Sequence, residues 1–348
     1  MREASRDWEA LAACLRAEPP ASPNWGEIFE AANRTLLTPA LFDALSRASQ
    51  LDLLPEEARD YLEFIHSKNL ERNIRLRAQL IEAVGQLNSV GIEPTLLKGA
   101  VRLFCDSDDR LGSRITKDLD LNVEEYEAEA AIRCLTSIGY QDLADTRGMW
   151  RPQDVGSLEL HHRPSIRSAA YLRREHEQPP ALVERAGARV RIPAPTSRAL
   201  HWIVHDLIKE GDYWRGRIDL RHLYDLAELA RSEERVDWHY LRDIMPDQLG
   251  RNVLETQLLA LHRLFGSDIP ADLRSRTIVR FHHWRRMFTA RHPLVGAPLQ
   301  IAGTVAWSTR GTRSTGRRAI KVLREHGVVD FTRRVHRTLT GTRVSTKL

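Results

Sequence analysis

The chain has 348 residues, of which 42% are hydrophobic and 28% charged, with a formal net charge of +5, which is typical of a soluble protein of two or three domains. No apolar run reaches the roughly 18 residues needed to span a bilayer, and the charged start MREASRDWEAL lacks the apolar segment of a signal peptide. Three cysteines without a CxxC pair exclude a disulfide framework and a cysteine zinc site, so we expect a cytoplasmic protein.

Residues 1–90 are predicted to form an N-terminal helical region. From Pro55 to Gly91, apolar residues recur mostly at spacings of three, four or seven, which favours either one long helix or two helices with a break. Proline suits the first turn of a helix and glycine its end, so both boundaries agree with this interpretation.

Residues 91–194 have a different pattern and are predicted to form a mixed α and β core. The segment EEYEAEAAIRCLTSIG has helical periodicity, with Gly139 at the position of a C-terminal cap. Short apolar segments on either side of it predict strands. These strands are expected at residues 95–98, 118–123, 157–162 and 188–192.

Beyond residue 194 the helical pattern returns, and we expect a helical domain over residues 195–307. Pro193 and Pro195 mark the boundary, and Thr196 or Ser197 is the expected N-cap of the first helix. Glycines are expected to interrupt the helical pattern towards its end. They are Gly303, Gly311 and Gly316.

Residues 308–348 form a basic tail with eleven Lys and Arg against two acids, a net charge of +9. The rest of the chain has 41 bases against 45 acids, so the positive charge is concentrated at this end. Dense charge of this kind predicts contact with a polyanion such as RNA, anionic lipid or an acidic carrier. The alternative is a solvated end without a partner.

The segment DLDLNV carries two acids on one face of a predicted strand. Alternation places Leu119 and Leu121 on the face opposite Asp118 and Asp120. The Cα atoms of the two acids would lie about 6 to 7 Å apart, so that both carboxylates could bind Mg²⁺. A sheet whose outer face merely carries acids is the alternative.

Two neighbouring segments strengthen the metal-binding interpretation. In SLELHH, Glu159 and His161 share one strand face, and Glu159 would be a third carboxylate for the site. In LLKGAVRLF, a strand leads through Gly99 into a short helix, a turn whose backbone N–H groups can receive phosphate oxygens.

Over about residues 90–230, the chain resembles the uncharacterised nucleotidyltransferase family of the DNA polymerase beta-like superfamily. The resemblance lies in five segments and their order: LLKGA, SRITKDLDLNV, LELHHRP, LHWIVHDLIK and RIDLRHLYDLAEL. The resemblance implies an α+β fold, in which a small mixed-sheet catalytic core is flanked by N-terminal and C-terminal helical regions. It also implies a glycine turn that holds a triphosphate and three acids that bind two Mg²⁺ ions, or Mn²⁺ in their place. The matching residues are Lys98, Gly99 and Ala100 on the turn and Asp118, Asp120 and Glu159 as the acids.

Ala100 departs from the superfamily pattern, in which Ser or Gly usually follows the first glycine of the turn. The hydroxyl contact is then lost, while backbone donors remain, and Lys98 or Arg114 would supply positive charge to the phosphates.

The implied reaction transfers a nucleoside monophosphate from an NTP, such as ATP or GTP, to an acceptor and releases pyrophosphate. A small molecule, a peptide, a protein and an RNA end all remain open as acceptors. A non-catalytic nucleotide-binding module of the same fold is the alternative from another class.

A second group of residues suggests a rival enzyme class. His201 and His205 lie four residues apart on a predicted helix, and the pair His205 and Asp206, with Asp219 and Asp225, resembles the ligand set of HD-type metal phosphohydrolases. That class also needs an earlier histidine on a helix, and His161, His162 and His176 are poor candidates because strand or loop is predicted around them. Packing between helices, or lining of the acceptor pocket, is the alternative role.

Overall fold

The computed structural model describes residues 6–143, 148–173, 178–232 and 235–310, so the basic tail predicted over residues 308–348 lies almost wholly outside the described residues, as do Gly311 and Gly316. The chain begins with four helices. The fourth is one continuous helix, so of the two alternatives predicted from Pro55 the structure has the single long helix. Their bounds are α1 Arg6–Leu15, α2 Trp25–Thr35, α3 Thr38–Arg47 and α4 Glu56–Ser89.

A seven-stranded mixed sheet follows, in the order β3-β4-β5-β2-β1-β7-β6. Strands β2 and β5 run parallel, as do β1 and β7, and the other neighbours are antiparallel. The sheet and its helical flanks confirm the α+β fold. The strands are β1 Thr95–Leu96, β2 Asp118–Asn122, β3 Gln141–Asp142, β4 Gly148–Trp150, β5 Ser157–His161, β6 Ala181–Arg185 and β7 Ala188–Ile192.

The sheet keeps one face apolar and covers it with helices. Leu119, Leu121 and Leu158 are fully buried and join one core with Leu76 and Leu80 of α4. Burial of each such side chain contributes about 1.5 to 3 kcal/mol relative to exposure, so the face of β2 that carries Leu119 is fixed towards the core. The helices inserted between the strands are α5 Gly99–Cys105 and α6 Ala128–Ser137.

The remaining described elements are helices, beginning with α7 at Pro195. The N-cap prediction of Thr196 or Ser197 was wrong, because proline itself starts the helix and the buried Thr196 hydroxyl instead accepts a hydrogen bond from the Asp237 amide at 3.1 Å. The helices are α7 Pro195–Val204, α8 Asp212–Arg215, α9 Leu220–Arg231, α10 Trp238–Asp243, α11 Gln248–Phe265, α12 Thr277–Arg291 and α13 Pro293–Arg310, with a π-helical turn at His205–Lys209 after α7.

Helix α13 passes through Gly303, where the sequence predicts an interruption, and that prediction was wrong. A Cβ at this position would lie 2.0 Å from the carbonyl oxygen of Trp214, so the glycine permits a close approach rather than ending the helix. Among the residues described, no helix is long and apolar enough to cross a bilayer.

A second core joins the two ends of the described chain. Leu11 and Leu41 from the first helices are buried in the same cluster as Leu223 and Leu254 from the later ones. Leu62 of α4 belongs to this cluster too, whereas Leu76 and Leu80 belong to the sheet. Helix α4 therefore ties the sheet to the helical part of the molecule.

Candidate active site

Strands β2 and β5 place their polar residues side by side. In their parallel register, Asp120 pairs with Glu159, and Asp118 pairs with Ser157 two residues earlier. Because Leu119 and Leu121 face the core, the acids of β2 lie on the other face of the sheet, as the alternation predicts.

Asp120 is the buried centre of this site, with 1% of its surface exposed. Its Oδ1 atom accepts a hydrogen bond from Lys98 Nζ at 2.8 Å and lies 2.9 Å from His161 Nε2. Burial alone would raise the pKa of Asp120, but His161 and Lys98 outweigh it and hold that pKa well below its usual value. Burial would likewise lower the pKa of Lys98, but Asp120 raises it above its usual value, so both groups are charged.

Glu159 and His161 complete a group of metal-binding donors. Glu159 Oε2 lies 3.6 Å from His161 Nε2, and one donor atom each from Asp120, Glu159 and His161 lies within 4.8 Å of the others. Two carboxylates and an imidazole form a donor set that fits a divalent cation. Asp118 is half-buried on the same strand and falls outside this group of three.

The turn that leads from β1 into α5 is strained and tightly packed. Lys98 adopts a backbone φ of 49°, which is unusual for a residue with a side chain. At Gly99, a Cβ would lie 2.3 Å from the guanidinium of Arg114, so a larger residue here would have to displace Arg114. The Ala100 amide donates to the Leu97 carbonyl at 3.1 Å, and the turn thus uses one of its own backbone donors.

Two asparagines of α4 fix the loop that precedes β2. Asn69 Nδ2 donates to the Gly112 carbonyl at 2.7 Å, and Asn73 Nδ2 donates to the Arg114 carbonyl at the same distance. Both asparagines are buried. Helical periodicity of apolar residues gives no signal for them, because their role depends on a loop about 40 residues further along the chain.

Arg114, predicted to contact phosphates, makes a two-pronged ion pair with Asp225 of α9. Its Nε atom lies 2.9 Å from Oδ1 and its Nη2 atom 2.8 Å from Oδ2. Burial would raise the pKa of Asp225, but Arg114 and Arg102 lower it. The pair holds the loop before β2 against the helical part of the molecule, a contact that links residues 111 positions apart.

The rival histidine group lies at the π-helical turn. Asp206 is buried, and its Oδ1 atom is 2.9 Å from Nδ1 of His205 and 2.8 Å from Nδ1 of His222. Sequence reasoning joined His205 to Asp206 but missed His222, which comes three residues after Asp219, the N-cap of α9. Burial would raise the pKa of Asp206, but the two histidines keep it below its usual value.

This group could also hold a metal ion, but one contact favours hydrogen bonding instead. Arg221 Nη2 lies 3.0 Å from His222 Nε2, and because arginine only donates, that nitrogen must accept. Burial would lower the pKa of His222, but Asp206 raises it above its usual value, which favours a proton on Nδ1 facing Asp206, where a metal ligand would need a lone pair. The contact with Arg221 thus favours a hydrogen-bonded role for this group over the metal site of an HD-type phosphohydrolase.

His201 lies between the two groups. It lines a cavity of about 10 Å³, room for about one water molecule, together with Lys98 and Trp202. Burial, followed by the charges of Lys98 and His205, lowers the pKa of His201 to about 4.

Comparison with known proteins finds one family. The model of a family described as uncharacterised nucleotidyltransferases matches residues 21–266, well over half of the chain, and this span includes both groups described above. No curated protein and no solved structure matches the chain.

Proposed function

The chain belongs to the uncharacterised nucleotidyltransferase family, and we propose that it transfers a nucleoside monophosphate from an NTP to an acceptor in a Mg²⁺-dependent reaction. The observation that carries this proposal is the pairing of buried Asp120 with Glu159 across β2 and β5, beside the Lys98 turn. ATP and GTP are both candidate donors.

The acids of β2 and β5 are the proposed metal ligands. Asp118 and Asp120 would hold the Mg²⁺ ion that carries the triphosphate, and Glu159 would join Asp120 at the ion beside the acceptor. When bound, the ions would neutralise the triphosphate and lower the pKa of the acceptor hydroxyl. Mn²⁺ also prefers oxygen ligands and could replace Mg²⁺.

Lys98 is the proposed phosphate contact at the turn. In this structure its ammonium group neutralises Asp120 at 2.8 Å. A divalent ion on Asp120 would compete for the same oxygen, and the released ammonium could then bind a phosphate beside Gly99 and Ala100. Of the two predicted cations, Lys98 is better placed than Arg114, which already donates to both oxygens of Asp225. We therefore assign Arg114 mainly the positioning of the loop before β2.

The chemical step needs few reactive side chains. The acceptor oxygen attacks the α-phosphorus. The bond between this phosphorus and the oxygen that bridges the α- and β-phosphates breaks, and pyrophosphate leaves with the electron pair. Glu159 is the proposed receiver of the acceptor's proton, because its side chain is 36% exposed and can reach a bound acceptor, whereas that of Asp120 is 2% exposed.

Substitution of the paired acids tests this proposal. Asp118→Asn and Asp120→Asn should each reduce incorporation of labelled NMP by at least about 100-fold, because each removes a carboxylate that binds the ions. Asp142→Asn, on an exposed position of β3, is the matched control and should retain activity. Full activity of both Asp118→Asn and Asp120→Asn would refute the metal assignment.

A non-catalytic nucleotide-binding module remains a second candidate. It is favoured by Ala100, which offers no hydroxyl and whose amide already donates within the turn. Titration of ATP and GTP with and without Mg²⁺, beside an assay of NMP incorporation, separates the two candidates. Binding without NMP incorporation into any class of acceptor would support the module.

A further inference from the structure

Helix α13 presents an apolar surface to solvent. We define its outer face by five side chains that are each between 42% and 69% exposed: Leu294, Val295, Leu299, Ile301 and Val305. Between Pro293 and Thr309 the helix contains no charged residue. Single apolar residues scattered over the surface are normal on soluble proteins, whereas a contiguous exposed apolar surface marks an interaction site.

The opposite side of α13 is fixed against the protein, which gives the outer face a definite orientation. A Cβ at Gly296 would lie 3.0 Å from Thr289 Cα, and one at Gly303 would overlap the Trp214 carbonyl. Trp307 Nε1 donates to the Ile208 carbonyl at 3.1 Å, and the guanidinium of Arg167 lies 3.7 Å from the centre of the Trp307 ring. The helix therefore cannot turn its outer face inward without breaking these contacts.

Helix α12 adds exposed aromatic side chains. Phe281 and Trp284 are 52% and 56% exposed, and Trp284 stacks on Phe288 with ring centres 5.4 Å apart. Arg280, one turn before Trp284, is exposed as well. Tryptophan beside arginine is typical of surfaces that lie at the headgroup level of a bilayer.

The positive charge of residues 273–324 favours an anionic partner. Residues 273–324 contain twelve Lys and Arg and not a single Asp or Glu. Among those described, Arg276 pairs with Glu255, Arg291 pairs with Glu9 and Arg286 is buried, so these three are not counted as headgroup contacts. We propose that the outer face of α13 and the exposed aromatic residues of α12 bind the surface of an anionic lipid bilayer. A bilayer offers anionic headgroups for the bases and acyl chains for the apolar side chains.

Other partners fit these observations less well. A nucleic acid would neutralise the bases through its phosphates but would leave the outer face of α13 in water. A second copy of the chain would cover the apolar side chains but would bring two basic segments together.

Vesicle flotation with the full-length protein tests the proposal. We expect binding to vesicles of phosphatidylglycerol and phosphatidylcholine, weak binding to phosphatidylcholine alone, and a steep loss of binding as salt is added. The double substitution Val295→Glu and Leu299→Glu should lower the partition coefficient at least about tenfold, because it puts two acids into the apolar contact. The matched control, Val90→Glu with Ile166→Glu, makes the same charge change at exposed positions elsewhere and should lose much less binding.

Several results would overturn the proposal. Absence of binding to anionic vesicles would do so, as would equal losses in the two double variants. A dimer in light scattering that Val295→Glu with Leu299→Glu dissociates would assign the surface to a second copy. Binding of a labelled oligonucleotide, without vesicle binding, would assign the bases to nucleic acid.

Discussion

Asp120 in the sheet and Asp206 in the helical part are both buried aspartates that contact two basic side chains through one oxygen. They differ in what surrounds them. Around Asp120, two further carboxylates stand against one lysine and one histidine. Around Asp206, two histidines contact the carboxylate directly, and Arg221 binds the far side of His222. The Asp219 carboxylate also lies 3.6 Å from His222 Nδ1, but it serves as the N-cap of α9.

Similar contacts therefore occur in two groups to which we assign different roles, metal binding in the sheet and structural support in the helical part. In the sheet group, Lys98 on its strained turn neutralises Asp120, and in the proposed mechanism a metal ion takes the place of this ammonium group. The histidine group already has its protons arranged towards Asp206, so a cation would have to displace them. We therefore propose the sheet group as the metal site, and we assign the helical group the structural role of holding α7 and α9 together.

The largest effect should appear when the two aspartates are changed in parallel. Asp206→Asn should lower the free energy of unfolding by about 2 to 3 kcal/mol, because buried imidazoles lose a charged acceptor, while Mg²⁺-NTP binding by the folded protein persists. Asp120→Asn should abolish that binding. Urea unfolding and isothermal titration measure the two quantities.

The control for this comparison is Asp142→Asn on the sheet edge, which should change neither stability nor binding. If folded Asp206→Asn loses as much Mg²⁺-NTP binding as Asp120→Asn does, the assignment of different roles to the two groups is wrong.

The sequence predicted the parts of the fold that depend on local periodicity. Alternation in DLDLNV predicted β2 and the burial of Leu119, and the spacing after Pro55 predicted α4. Strands β3, β4 and β6 were missed because they are short or largely exposed, and such strands carry no apolar alternation.

The site was harder to predict, because its contacts join distant segments. The side chains of Asp120 and His161 meet only because β2 and β5 pair in parallel, a register that no local pattern contains. The partnership of Arg114 with Asp225 depends in the same way on the packing of α9 against the loop before β2. Residue type and spacing indicated that Asp118, Asp120 and Glu159 belong to one site. They did not indicate that Lys98 and His161 would contact Asp120.

A smaller effect should separate the acids within the sheet group. Glu159→Gln should reduce the rate of NMP transfer by about 100-fold through loss of the proposed proton acceptor, and it should keep NTP affinity. Isothermal titration with Mg²⁺-NTP, beside single-turnover rates, distinguishes these quantities. Weakening of Mg²⁺-NTP binding as severe as in Asp118→Asn would show that Glu159 belongs to nucleotide binding instead.

The smallest effect concerns His201, which lies between the two groups and responds to both. Its pKa of about 4 in the folded protein compares with about 6.5 for an unperturbed histidine. The unfolded chain therefore binds more protons between these values, and His201 should make stability fall as the pH drops from about 6.5 to 4.

The free energy of unfolding should fall between pH 7 and pH 5, and in His201→Gln we expect this fall to be smaller by about 1 kcal/mol. The difference is modest because the side chain of His201 is only partly buried. Urea unfolding at both pH values measures this difference, and His239→Gln, at an exposed position, is the control. The lowered pKa arises from burial beside Lys98 of one group and His205 of the other. An unchanged pH dependence in His201→Gln would show that the contact between the sheet and the helical part does not keep this imidazole neutral.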